Sequence, residues 1–260
     1  MFRLIAVVLL GMTVFPLQAA VVGQEVSYQA GDTVMKGYLA FDDAVAGKRP
    51  GILVVHEWWG HNAYARKRAD MLAELGYTAL AVDMYGDGKT ADHPDNAGKF
   101  ATAVRQDQDK LQTRFNAARD YLNNHETVDP ERNAAIGYCF GGSVVLSMAR
   151  SGADLDGVVS FHGSVGGLPP IADKVTARVL VANGAEDPFV SRDSIEIFKV
   201  DMETAGVDFE FIDYPGAKHS FTSPEANTYG EKFGLPLEYN AGADKASWEK
   251  MQQFLDSLFK

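Results

Sequence analysis

Among its 260 residues the sequence has a single cysteine, Cys139. That excludes an internal disulfide and any cluster of thiolate metal ligands. The six histidines never fall in His-x-x-x-His spacing, so neither a metal nor another cofactor is expected. Basic residues are scarce, 24 Lys and Arg against 35 Asp and Glu, for a formal net charge of -11. A surface of that sign repels phosphate backbones and anionic lipid headgroups, so nucleic acid and membrane surfaces are poor partners. No run is long enough to span a bilayer comfortably, and no internal repeat or low-complexity linker interrupts the chain. Nothing in the sequence specifies an oligomeric state.

One apolar run stands apart. Leu4 to Val14 follows Arg3 and precedes Pro16-Leu17-Gln18-Ala19-Ala20. A basic start, a short apolar stretch and small residues at its end read as an export signal, residues 1–19, cleaved after Ala19. The competing reading is a buried N-terminal strand. No cysteine follows the run, so no lipid anchor is expected. The mature chain, 20–260, is expected to form one α/β domain in the periplasm or outside the cell. Export gives the lone thiol meaning, because a free thiol in an oxidising compartment is a liability unless buried or used.

Along the mature chain, strand and helix patterns alternate. Glu25–Gln29 and Lys36–Phe41 read as an antiparallel hairpin around Ala30-Gly31-Asp32. Gly51–Val55, Thr78–Val82, Asn133–Gly137, Asp156–Phe161, Arg178–Val181 and Asp208–Tyr214 read as strands. Between them, Ala65 to Leu75 has helical spacing with Gly76 as its cap, and Phe100 to Leu122 reads as one long amphipathic helix. Gly142–Arg150, Ile195–Ala205 and Trp248–Leu258 are further helices. Residues 221–243 lack periodicity and read as a long surface loop near the site. This alternation predicts a mostly parallel sheet with helices on both faces.

The chemistry centres on Gly137-Tyr138-Cys139-Phe140-Gly141-Gly142, set between an apolar strand and a small-residue helix. Such a sharp turn strains the nucleophile's backbone and needs small residues two positions away on either side, which Gly137 and Gly141 supply. It places the sulfur at a helix N-terminus, where the dipole favours a thiolate, and aims the Phe140 N–H at a developing oxyanion. A base and an orienting acid follow in chain order. Asp187 lies past the strand Arg178–Val181, and His219 lies past the last strand, which suits a Cys139–His219–Asp187 triad with His219 as general base. Glu186 is a competing acid. The remaining histidines fall outside this order: His125 reads as a helix-end surface residue, and His162 as a satisfied structural residue or a pocket wall. Just past the first parallel strand, His56-Glu57-Trp58-Trp59-Gly60 is placed to give a second oxyanion N–H from Trp58. Trp58 and Trp59 read as pocket wall, since their indole N–H groups need partners. Tyr85, Tyr138 and Phe221 are further pocket candidates.

The Cys-containing elbow, the His-Glu-aromatic-x-Gly loop, Glu186-Asp187-Pro188 and His219-Ser220-Phe221 together resemble the dienelactone hydrolase family over nearly the whole mature chain. The resemblance implies an α/β-hydrolase fold, a Cys139–His219–Asp187 triad acting on carboxylic esters, and contact of Glu57 with the resting thiol that triggers its deprotonation. It also implies arginines that hold the carboxylate of dienelactone, one soon after Asp83-Met84-Tyr85 and one shortly after His219. Neither stretch has one: Gly86-Asp87-Gly88-Lys89 and Ser220-Phe221-Thr222-Ser223 stand there, with Lys89 and Lys218 the available point charges. The expected substrate is therefore a small ester or lactone other than dienelactone. A different class of function, small-molecule binding or thiol redox sensing on the same scaffold, stays open at this stage. The absence of a resolving cysteine weighs against sensing.

Overall fold

The computed structural model of the chain describes residues 21–167, 169–171 and 173–260. The expected export signal, 1–19, lies outside them. A ten-residue hairpin opens the fold: β1 (Val21–Ala30) and β2 (Thr33–Asp42) pair antiparallel in register from Val21↔Asp42 to Ala30↔Thr33. There follow β3 (Arg49–Val55), α1 (Ala63–Glu74), β4 (Thr78–Val82), α2 (Pro94–Arg105), α3 (Gln108–Asn123) and β5 (Val128–Tyr138). The chain continues with α4 (Phe140–Arg150), β6 (Gly157–Phe161), β7 (Arg178–Gly184), α5 (Arg192–Thr204), β8 (Phe209–Tyr214), α6 (Ala226–Phe233) and α7 (Ala241–Phe259). The eight strands form one sheet in the order β1-β2-β4-β3-β5-β6-β7-β8, parallel from β4 to β8. This is the α/β-hydrolase fold: a mostly parallel sheet with helices on both faces and an antiparallel pair at one edge.

The apolar strands follow from that burial. Successive side chains point to opposite faces. In β3, Leu53 and Val55 join the core under α3, α4 and α5, while Ile52 and Val54 join the core under α1 and α7. Ala135 and its neighbours Ala134 and Ile136 divide the same way in β5. A strand covered on both faces must be apolar at every position, which is why these runs are continuous rather than alternating. Gly76, with φ +91°, lies just beyond α1 as expected.

Two expectations are corrected. The single helix over Phe100–Leu122 is two, because Asp107 accepts a hydrogen bond from the Lys110 N–H at 2.9 Å and starts α3 afresh. The apolar positions Val104 and Leu111 are seven apart, so the pattern runs through the break unaltered. Residues 221–243 are not a surface loop. They contain α6, and Phe221, Ala226, Gly230 and Leu237 are buried.

The parallel strands bring their carboxyl ends to one edge, and the turn from β5 into α4 is the tightest point there. A Cβ at Gly137 would stand 2.1 Å from the Gly141 carbonyl oxygen, and one at Gly141 would stand 2.2 Å from the Val55 carbonyl oxygen. Both contacts are backbone, which cannot swing aside. Gly137→Ala is therefore expected to lower stability by more than about 2 kcal/mol, read as a lower denaturant midpoint at unchanged slope. A wild-type midpoint would mean that the crossing relaxes freely.

Candidate active site

Cys139 occupies the N-cap of α4 with φ +52° and ψ -111°, a conformation that costs a non-glycine residue about 1–3 kcal/mol. Its N–H donates to the Phe161 carbonyl at 3.0 Å, and its carbonyl accepts the Ser143 N–H at 3.2 Å, so sheet and helix pin it from either side. The side chain is half-buried and its sulfur is 3.1 Å from His219 Nε2. His219 Nδ1 is 2.7 Å from Asp187 Oδ2, and Asp187 Oδ1 accepts the Phe189 N–H at 2.8 Å. Asp187 and His219 are both buried, whereas Glu186 is exposed. The three groups therefore form one line, from sulfur through imidazole to carboxylate. Burial alone would make the His219 imidazolium more acidic. The Cys139 sulfur and the Asp187 carboxylate outweigh it and push the value up to about 10.

The loop after β3 faces the same sulfur. The Glu57 carbonyl is 2.6 Å from His56 Nδ1 and accepts the Gly60 N–H at 3.1 Å. Across a trans peptide, the Trp58 N–H must point the opposite way from that carbonyl. Phe140 is the first residue of α4, where an N–H has no intrahelical acceptor. Trp58 and Phe140 line a cavity of about 310 Å³ together with Cys139, His219, Arg105, Ser143, Ser164, Phe189, Val190, Leu235 and Leu237.

The structure departs from the remaining site expectations in instructive ways. Glu57 is buried beneath the site, yet its carboxylate accepts the Ser220 hydroxyl at 2.8 Å while the thiol engages His219. Tyr85 stands behind the cavity rather than in its wall, packed on His56 and Phe140 with its hydroxyl donating to the Trp58 carbonyl at 3.0 Å. Trp59 is not pocket wall: its ring stacks on Tyr229 of α6, centroids 4.3 Å apart, in a small core of its own. Tyr138 immediately precedes Cys139, so strand alternation sends it to the other face, stacked on Phe161 at 4.8 Å. Phe221 is likewise core, against Tyr214 and His162. His125 is half-buried beyond the end of α3, with Nδ1 2.8 Å from Thr127 Oγ1.

Arg105 and Phe189 were missed. Arg105, the last residue of α2, lines the cavity and has no acidic partner among the described residues. The two lysines pair elsewhere, Lys89 with Asp87 and Lys218 with Glu238. Phe189 is 53% exposed with its ring edge against His219, centroids 4.9 Å apart. Its place two residues after the candidate acid, in the same loop, was the available signal for it.

Burial is also the main cause that pushes the Glu57 carboxyl up to about 7, against the Ser220 hydrogen bond and the charge of His219, which lower it. A carboxyl whose folded value lies above its unfolded value of 4.5 holds its proton better when folded, so stability falls as pH rises between those two values. Glu57→Gln removes that dependence. The variant is expected to gain up to about 3 kcal/mol relative to wild type on going from pH 5 to pH 8. Equal stability differences at both pH values, measured by denaturant titration, would contradict a buried, uptitrated carboxyl.

Comparison with known proteins places this geometry. The family model "Dienelactone hydrolase family" matches residues 35–259. A solved structure described as a dienelactone hydrolase-like promiscuous phosphotriesterase from metagenomic libraries is 36% identical, with a TM-score of 0.87 over 93% of this chain and 100% of that one. "Protein usf" of Aquifex pyrophilus is 31% identical over 76% of this chain and 87% of its own length. A "Probable 2-oxo-3-(5-oxofuran-2-ylidene)propanoate lactonase" from a Bradyrhizobium species is 30% identical over 68% of this chain and 75% of its own. The chain belongs to the dienelactone hydrolase family and is a hydrolase of carboxylic ester or lactone bonds.

Proposed function

We propose that the chain is an exported hydrolase of small carboxylic esters or lactones that works through a thioester on Cys139. The observation carrying this reading is the alignment of Cys139 Sγ, His219 and Asp187 at 3.1 and 2.7 Å. In the first half-reaction the sulfur attacks the acyl carbon and its proton passes to His219 Nε2. The carbonyl oxygen becomes an oxyanion held by the Phe140 and Trp58 N–H groups, donors worth roughly 10²–10³ in rate where one has been removed from such a site. The tetrahedral species collapses by breaking the carbon–oxygen bond, and His219 gives its proton to the leaving alkoxide. In the second half a water loses a proton to His219, attacks the thioester and displaces the thiolate, which recovers the proton. The products are the acid and the alcohol, or one hydroxy acid from a lactone. Asp187 keeps the proton of the imidazole on Nδ1 and stabilises its cation throughout.

The cavity sets the substrate's character. About 310 Å³ is at the small end for ligand sites, and its walls are mainly apolar side chains with Ser143, Ser164 and Arg105 as polar points. That suits a compact apolar or aromatic ester. One rim guanidinium holds a substrate carboxylate less firmly than a pair of bidentate arginines, which favours substrates other than dienelactone. Export is proposed on the basic start, apolar run and small residues of positions 3–20, with residues 20–260 as one domain.

The direct test is titration of the single thiol with an alkylating agent while aryl ester hydrolysis is followed. Activity is expected to fall in proportion to modification and to be absent in Cys139→Ala across aryl esters, lactones and thioesters. Full hydrolysis after complete modification would remove Cys139 from the reaction.

A further inference from the structure

His162 is buried, does not belong to the sulfur–imidazole–carboxylate line, and has the unusual φ of +40° for a non-glycine residue. It follows β6 directly, and its own N–H continues the ladder to the Ala182 carbonyl at 2.8 Å. Two hydrogen bonds fix its ring. The Cys139 N–H, which can only donate, lies 3.1 Å from Nδ1. Nδ1 must therefore carry the lone pair, and the proton resides on Nε2, 2.7 Å from Thr222 Oγ1. Burial and the neighbouring charges of His219 and Arg68 push this imidazole well below its ordinary value, so it stays neutral in that tautomer.

We propose that His162 is a positioning residue that ties the backbone of the nucleophile to the loop carrying the general base, through Cys139 N–H···Nδ1 and Nε2–H···Thr222 Oγ1. Thr222 is three residues beyond His219, so the link spans the two loops whose spacing sets the sulfur–imidazole distance. The far end is anchored firmly. The Thr222 hydroxyl meets the Tyr64 hydroxyl at 2.6 Å, and its carbonyl accepts from Arg68 at 2.8 Å. Arg68 in turn pairs with Asp244 of α7 at 2.5 Å. The near end is a three-centre bond, because the Cys139 N–H also reaches the Phe161 carbonyl. Loss of His162 thus leaves no orphaned amide in the fold but lets a strained nucleophile relax. A nucleophile misplaced by about 1 Å can lose about 10²-fold in rate.

This inference rests on the thiol reading of the site, and its test separates the two. Wild type, His162→Leu, His162→Asn and Thr222→Val are compared by kcat and KM for an aryl ester, by the pH profile of alkylation, and by the ultraviolet absorbance of the thiolate. That absorbance is assignable because the chain has one cysteine. Circular dichroism and melting establish that each variant is folded. His162→Leu and Thr222→Val are expected to lose about 10- to 100-fold in kcat and in alkylation rate at neutral pH, with KM within about threefold. His162→Asn, which keeps an acceptor for the Cys139 N–H, is expected to recover part of the loss. Folded Leu and Val variants with wild-type kcat, alkylation profile and thiolate absorbance would overturn the link, even with hydrolysis fully dependent on Cys139. Should the Leu variant not fold, Thr222→Val alone decides by the same readings. Wild-type hydrolysis by Cys139→Ala would overturn the thiol reading itself, and the link with it.

Discussion

The passage of the chain from β5 into α4 within one residue governs the rest of the site. Cys139 has to take φ +52° to make that turn, and no side chain fits at Gly137 or Gly141, whose neighbours at 2.1–2.2 Å are backbone oxygens. The strain is maintained because the sheet holds the residue before it and the helix the residue after. Its return is geometric: a sulfur raised above the carboxyl edge of the sheet at a helix N-terminus, facing whatever the other strand ends bring. The ends of β3, β7 and β8 bring Trp58, Asp187 and His219, each within about five residues of its strand's last residue. Positions close to the ends of strands in one rigid sheet explain how groups 32 and 80 residues apart in sequence meet within hydrogen-bond distance.

Two buried carboxylates flank this sulfur in contrasting ways. Asp187 is matched by the imidazole and by the Phe189 N–H. Glu57 has one hydroxyl donor, so desolvation dominates and its carboxyl titrates near neutrality. Carboxyls at similar depth thus differ in their partners: one meets an imidazole, the other the hydroxyl of Ser220, a residue held at positive φ.

Much of this was legible in the sequence, and the limits have physical causes. Cys139 and Asp187 each follow a continuous apolar run, and His219 follows an aromatic-rich strand broken by Glu210 and Asp213, so their places at the ends of strands could be read locally. Tyr138 was readable too: it is the last strand residue before Cys139 and has to face the opposite side. Trp59 was not, because its burial depends on α6, eight residues whose apolar spacing of Tyr229 and Phe233 alone is too short a pattern to register, and Phe221 was not, because it packs on His162, 59 residues away in sequence. The break between α2 and α3 hides in a seven-residue apolar spacing compatible with one helix. Arg105 and the His162–Thr222 bond are products of tertiary folding, set by how α2 and the loop after β8 pack on the sheet edge, and no spacing along the chain encodes them.

Everything in the account turns on acyl transfer to the Cys139 sulfur. Rapid acid quench of enzyme with a series of aryl esters, followed by intact-mass and peptide mass analysis, tests it most directly. The account predicts an acyl mass on the peptide containing Cys139 that forms before one turnover is complete, and no hydrolysis by Cys139→Ala. Wild-type turnover with no acyl mass at Cys139 at any time, together with an active Cys139→Ala, would contradict it.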